Sequence, residues 1–231
     1  MTFAAQVRAV VRAEAQVEAR AGDVLWVAGP FGLAALLVLA VAVGADVPLL
    51  RQLGAGVFWT MLLVIGALVS LRAGTTEPPA RRDALLLAGL DDSARFLGRW
   101  IVATATMLGF GLLLWPVLIV VYGVGAAVAT TVLGMLPLVA GGLAGLGTLA
   151  GELTNGTGAR ALLVSLLVVP LGVPLVVAGT QAAEGVVYNA SALPWVALVL
   201  TVDMIMLVAG LLVAPALASA PRSLDPDRRS R

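Results

Sequence analysis

The 231-residue chain contains no cysteine, no histidine and no lysine. The missing cysteine excludes disulfides, thiolate metal sites and dithiol redox motifs. The missing histidine removes the usual general base and the commonest metal and haem ligand. The missing lysine excludes a Walker A loop, whose Gly-x-x-x-x-Gly-Lys-Ser/Thr pattern needs that ammonium on the phosphates. If the protein works through ATP hydrolysis, another polypeptide supplies the nucleotide site. Charge is scarce as well. Only 12% of residues are charged and 61% are hydrophobic, where a soluble domain carries about 25% charged residues. With a mean hydropathy of +1.05, the composition is that of an all-α integral membrane protein. A net charge of +1 gives no basis for binding nucleic acid.

What remains is organised in apolar runs. Crossing a bilayer takes about twenty mainly apolar helical residues. Six segments qualify, near 24–43, 53–71, 100–121, 127–150, 161–180 and 194–215, within one transmembrane domain spanning 1–231. Thirteen of the fourteen arginines fall in alternate connections: the N-terminal segment, the 72–99 loop, the 151–160 loop and the 216–231 tail. Only Arg51 falls on the other side. Cytoplasmic loops are the arginine-rich ones, so both termini are expected in the cytoplasm. Residues 1–22 lack the clean apolar core of a signal peptide. Phe3, Val7, Val10, Val11 and Val17 recur at helical spacing, which predicts an amphipathic helix on the cytoplasmic membrane face.

Four features inside this plan invite a role. "GGLAGLGTLAG" sets Gly141 and Gly145, and Gly147 and Gly151, four apart. That spacing lets helices approach closely, either between subunits or within one protomer. "VVPLGVPLVV" places Pro170 and Pro174 on one face of span five, a candidate hinge. Asp203 lies inside span six, as a substrate or proton contact or as a protonated carboxyl bonded to a hydroxyl such as that of Thr201. Glu152, near Arg160, reads as a solvated end charge, and 181–193 as the largest outer loop.

The fourth feature is the polar loop 72–99. Pro78 and Pro79 suit the start of a short helix. Arg81, Arg82 and Asp83 supply polar contacts, and Leu85, Leu86 and Leu87 supply an apolar face. Leu90 and Asp91 close the stretch, and Asp92 or Ser93 is the expected cap of the next helix. Three consecutive leucines outside the membrane argue for docking onto a partner.

The chain resembles the CcmB family, the membrane subunit of the haem-exporter ABC complex of cytochrome c maturation. The resemblance runs over nearly its whole length. It is carried most specifically by "ARALLVSLLVVPLGVPLVVAGTQAA" at 159–183, where Pro170, Leu171, Val173 and Pro174 stand at the family's Pro-Leu-x-Ile/Val-Pro positions. In the loop, "ARRDALLLAGLD" is similar to the family's Gly-x-Leu-Glu-x-Leu-x-Leu-x-Pro-Leu. Asp83 replaces the glutamate, Leu85, Leu87 and Leu90 match leucines, and Gly89 replaces the proline. The resemblance implies an ABC permease in the bacterial inner membrane, driven by a separate cytosolic ATPase that contacts Arg81 to Asp91. It also implies haem-handling membrane partners. A permease homodimer is a further candidate assembly. ATP would sit on the partner subunit and haem would be handled by the complex, with no cofactor held by this chain. The alternatives are a generic ABC exporter permease for a lipid or drug-like substrate and, less well supported, a membrane-embedded enzyme. The latter would need a polar catalytic cluster, and no Gly-x-Ser-x-Gly elbow appears.

Overall fold

The computed structural model describes residues 2–21, 23–44, 46–73, 91–153 and 160–219. They form seven helices: α1 (Phe3–Ala21), α2 (Asp23–Ala42), α3 (Val47–Ala73), α4 (Asp92–Val120), α5 (Ala126–Leu153), α6 (Arg160–Val187) and α7 (Leu193–Ser219). No strand occurs among the described residues. Helices α3 to α7 are each long and apolar enough to cross a membrane, while the apolar stretch of α2, Val27–Ala42, is shorter. The chain is thus a multi-pass, all-helical membrane protein.

Every long helix exceeds its hydropathy segment. α5 and α6 have 28 residues each, a rod of roughly 42 Å at 1.5 Å per residue. That matches a bilayer of about 40–45 Å with its headgroup layers. A helix satisfies its own backbone wherever it goes, so it continues past the hydrocarbon into the interfacial region.

This extension corrects several boundaries. α4 starts at Asp92, as the expected cap at Asp92 or Ser93 implies, so the end of the 72–99 stretch, with Arg95 and Arg99, is helical and continuous with the span. Arg95 is 5% exposed and pairs with Asp92 one turn away at 3.0 Å. Asp91, at φ −66° and ψ 130°, is the N-cap: its carboxylate accepts from Ser93 N–H, the role expected of Asp92 or Ser93. Arg51 lies within α3. Residues 181–187 continue α6, so the outer loop shrinks to 188–192, where Asn189 takes a positive φ of 53°. The chain runs helically through both Pro170 and Pro174 without unwinding.

α5 occupies the centre, packed against α3, α4, α6 and α7. Its Val132, Leu136, Val139 and Leu143 meet Phe58, Trp59 and Ile65 of α3 and Met107, Phe110 and Leu114 of α4 in one continuous core. The glycines at 141–151 serve this packing within the protomer. A Cβ at Gly142 would meet Leu175 of α6 and Asp203 of α7, one at Gly145 would meet Trp100 and Met206, and one at Gly147 would strike Ser70. Two indoles tie α4 to α5: Trp100 Nε1–H donates to Gly141 O at 2.7 Å and Trp115 Nε1–H to Ala129 O at 3.0 Å. α2 is the most lightly packed of the described helices and rests on α3 and α4. Its Leu36 carbonyl accepts from the Tyr122 hydroxyl at 2.9 Å. Burial pushes the Tyr122 phenol above its usual pKa, so it stays a donor throughout the neutral range.

Candidate functional site

At the α4 N-terminal end of the bundle, α1 lies along α4. Three described contacts help to hold it. The side-chain carbonyl of Gln6 accepts from the Asp91 N–H at 3.3 Å, Val10 sits buried in the notch left by Gly98, and Glu14 Oε1 faces Arg99 Nε at 3.5 Å. Gly98 is required there: a Cβ would run into the Val10 side chain.

Arg99 also reaches across to α5, where its Nη1 meets Glu152 Oε1 at 2.8 Å. These side chains are largely shielded, Glu152 at 13% and Arg99 and Glu14 at 21% exposed. The arginine therefore links three helices. Glu152 is a partner in a partly buried ion pair, which corrects its reading as a solvated end charge.

Between α1, α3, α4 and α5 lies a cavity of about 130 Å³. Its α1 side is polar, with Glu14, Glu18, Arg99 and Glu152 in the lining. Deeper in, the walls become mainly apolar, with Val69, Val102, Met107 and Leu143. Three hydroxyls interrupt them: Ser70, Thr106 and Thr148. Each donates to the carbonyl one turn back on its own helix, at 2.7, 3.1 and 2.5 Å respectively. Their protons are committed, but each oxygen keeps a lone pair.

Asp203 stands elsewhere, between α7 and α5, its carboxylate against Gly141 and Gly142. Its Oδ1 is buried with no hydrogen-bond partner. Thr201 is not that partner, because its hydroxyl donates to Ala197 O at 2.7 Å on the exposed side of α7. Pro170 and Pro174 both face outward from the bundle. The structure therefore brings neither Asp203 nor the prolines into the cavity. Arg81, Arg82, Asp83, Leu85, Leu86, Leu87 and Leu90 lie outside the described residues. Asp91 alone of that group is placed, at the junction of α4 with Gln6.

No cluster of three or more Asp, Glu, His or Cys residues suited to a metal ion occurs among the described residues. The cavity hydroxyls were missed from sequence, since Thr and Ser within apolar runs carry no periodic signal. The linked ions Glu14, Arg99 and Glu152 carried one: each sits where a helix meets the same expected membrane face.

An apolar bundle of long helices with a polar end built from α1, α4 and α5 defines a multi-pass membrane protein. Residues 5–223 match the family model for CcmB protein, and the chain belongs to the CcmB family, the membrane component of the haem exporter of cytochrome c maturation. A comparison with curated proteins finds no match.

Proposed function

We propose that the chain is the membrane-spanning permease subunit of an ABC-type haem exporter complex, acting in cytochrome c biogenesis and driven by a separate cytosolic ATPase. The match to the CcmB family over residues 5–223 carries this reading. In it, α2 completes a set of six spans with α3 to α7. Both termini and the Arg99 end face the cytoplasm of a bacterium, and α1 lies at the inner-membrane surface. The 13-to-1 arginine asymmetry supports that orientation. The chain catalyses no reaction itself. Pro170 and Pro174 form a hinge in α6, and Asp203 is an intramembrane polar contact. Haem-handling membrane proteins and a second permease copy complete the assembly, while haem stays the cargo of the complex.

The ATPase is gripped through residues 81–91. Leu86 and its neighbours fill an apolar cleft, and Arg82 and Asp83 set the register. Burial of one leucine contributes about 1.5–3 kcal/mol, so Leu86→Asp should weaken the complex at least about tenfold, while Arg82→Ala at a rim position costs much less. Recovery of the ATPase from mild detergent, at matched membrane levels of each variant, is the test. Unchanged recovery and ATP turnover with Leu86→Asp would rule out this segment as the coupling element.

A further inference from the structure

We infer that Asp203 marks the docking place of a different membrane polypeptide: a transmembrane helix that lies along α7 and presents a hydrogen-bond donor to the Asp203 carboxyl near mid-membrane. The inference rests on the assembly proposed above, in which other membrane proteins complete the complex.

Depth and direction come first. α7 begins at Leu193, and Asp203 lies roughly ten residues further on, about 15 Å at 1.5 Å per residue. That is the middle of a hydrocarbon layer of about 30 Å. Around the helix, Asp203 stands at the seam between two stripes. Val199 and Gly210 are buried against the bundle, while Leu200, Met204 and Val208 are 45%, 56% and 50% exposed. Oδ1 turns inward onto Gly142, beside Leu175 of α6. Of the two oxygens only Oδ1 is fully buried, which leaves Oδ2 for a partner. α7 is also the least covered of the five long apolar helices: 11% of its apolar stretch is buried, against 33–50% in the others.

Exposed leucines by themselves call for no partner, because lipid tails are as apolar as leucine. The carboxyl is different. A polar group at membrane depth is costly unless a protein group or a wet cavity meets it. Neither Asp203 oxygen accepts a hydrogen bond from the described residues. The chain has no donor to spare at that depth. Each threonine described within the spans gives its hydroxyl proton to a carbonyl one turn back on its own helix. The Trp100 and Trp115 indoles are committed to backbone carbonyls, and Trp59 is wholly enclosed. Lysine and histidine do not occur. A second copy would bring only the same committed donors among its described residues. The matching group therefore belongs to a different polypeptide: an amide, hydroxyl or cationic side chain on an otherwise apolar helix, whose apolar face covers Leu200, Met204 and Val208.

The test places a benzophenone-bearing amino acid at Leu200, on the exposed side of the seam, in the full chain at native expression level in its own membranes. Irradiation should join it to a different polypeptide, through an apolar peptide that carries an amide, hydroxyl or cationic side chain. Asp203→Leu should lower the yield of that adduct at least about tenfold, the effect of losing one hydrogen bond to a buried carboxyl. Asp203→Asn still accepts and should keep about half of the yield or more where the donor is neutral. Loss with Asp203→Asn supports the inference where the joined peptide is cationic and otherwise overturns it. Adducts with lipid or a second copy alone, or a yield indifferent to Asp203→Leu, would overturn it too. Melting of the isolated chain in detergent separates docking from folding. An unpartnered acceptor adds nothing to the fold, so Asp203→Leu, or Asp203→Ala if the methyls do not fit beside Gly142, should melt at or above the wild type. If both melt below it, the carboxyl serves this chain's own bundle and the docking is overturned. Recovery of the ATPase with the wild-type chain tests the assembly separately. ATPase recovered alongside an adduct that ignores Asp203 overturns the docking alone, and a wild-type chain that yields neither ATPase nor adduct overturns both.

Discussion

Single atoms decide how closely α5 and α7 approach. A Cβ at Gly142 would fall on Asp203 Oδ1 and the Leu175 side chain, whereas one at Gly109 would meet nothing within 4 Å. Overpacking a tight contact costs about 1–3 kcal/mol, and replacing an unhindered helical glycine with alanine changes stability by at most about 1 kcal/mol in the favourable direction. Thermal unfolding in detergent should therefore show Gly142→Ala melting below the wild type and Gly109→Ala at or above it. Equal melting of the two would contradict the close approach at Gly142. Arg99 is the residue on which three helices converge. Its replacement by glutamine should lower the melting temperature more than Arg8→Gln, whose side chain lies on the exposed face of α1.

At the scale of elements, α1 behaves as part of the bundle. Its periodic valines read as a face meant for lipid, yet one of them, Val10, is 6% exposed because it fills the gap above Gly98. Val10→Asp should free the helix, since it removes about 1.5–3 kcal/mol of burial and places a charge in the notch. In open membranes, trypsin should then cut at Arg8 or Arg12 several times faster than in the wild type. A cleavage rate that stays the same would mean the notch does not hold α1. The pairing of α1 with α4 was hidden from the sequence because a valine on an amphipathic helix looks the same facing lipid or facing a glycine. Which helix partners which depends on shape, and hydropathy carries no shape.

For the whole molecule, the apolar runs made the long helices legible. The ends were not. Arg51 and the stretch 181–187 look like loop residues by composition, but a helix that has crossed a bilayer gains nothing by stopping at the hydrocarbon edge. The polar cavity escaped for the same reason: it is assembled from residues 14, 70, 106 and 148, far apart in sequence and unremarked within their own runs. Two whole-molecule outcomes follow from composition and orientation. A reporter active only outside the cytoplasm should work when fused near Tyr188 and fail after Arg231, and the reverse would sink the six-span reading. The isolated chain, lacking histidine and cysteine, should purify without tightly bound haem. A stoichiometric low-spin haem spectrum would show otherwise.

The bond between Tyr122 and Leu36 spans 86 positions in the chain. A ribosome adding about 5–20 residues per second makes Leu36 roughly 4–17 s before it makes Tyr122. During that interval α2 has neither its hydroxyl tether nor the α4 surface it packs against. α2 is therefore made well before the partner that tethers it. A nascent chain stalled short of residue 122 leaves α2 with α3 but without its tether, more open to chaperones and proteases than in the finished bundle.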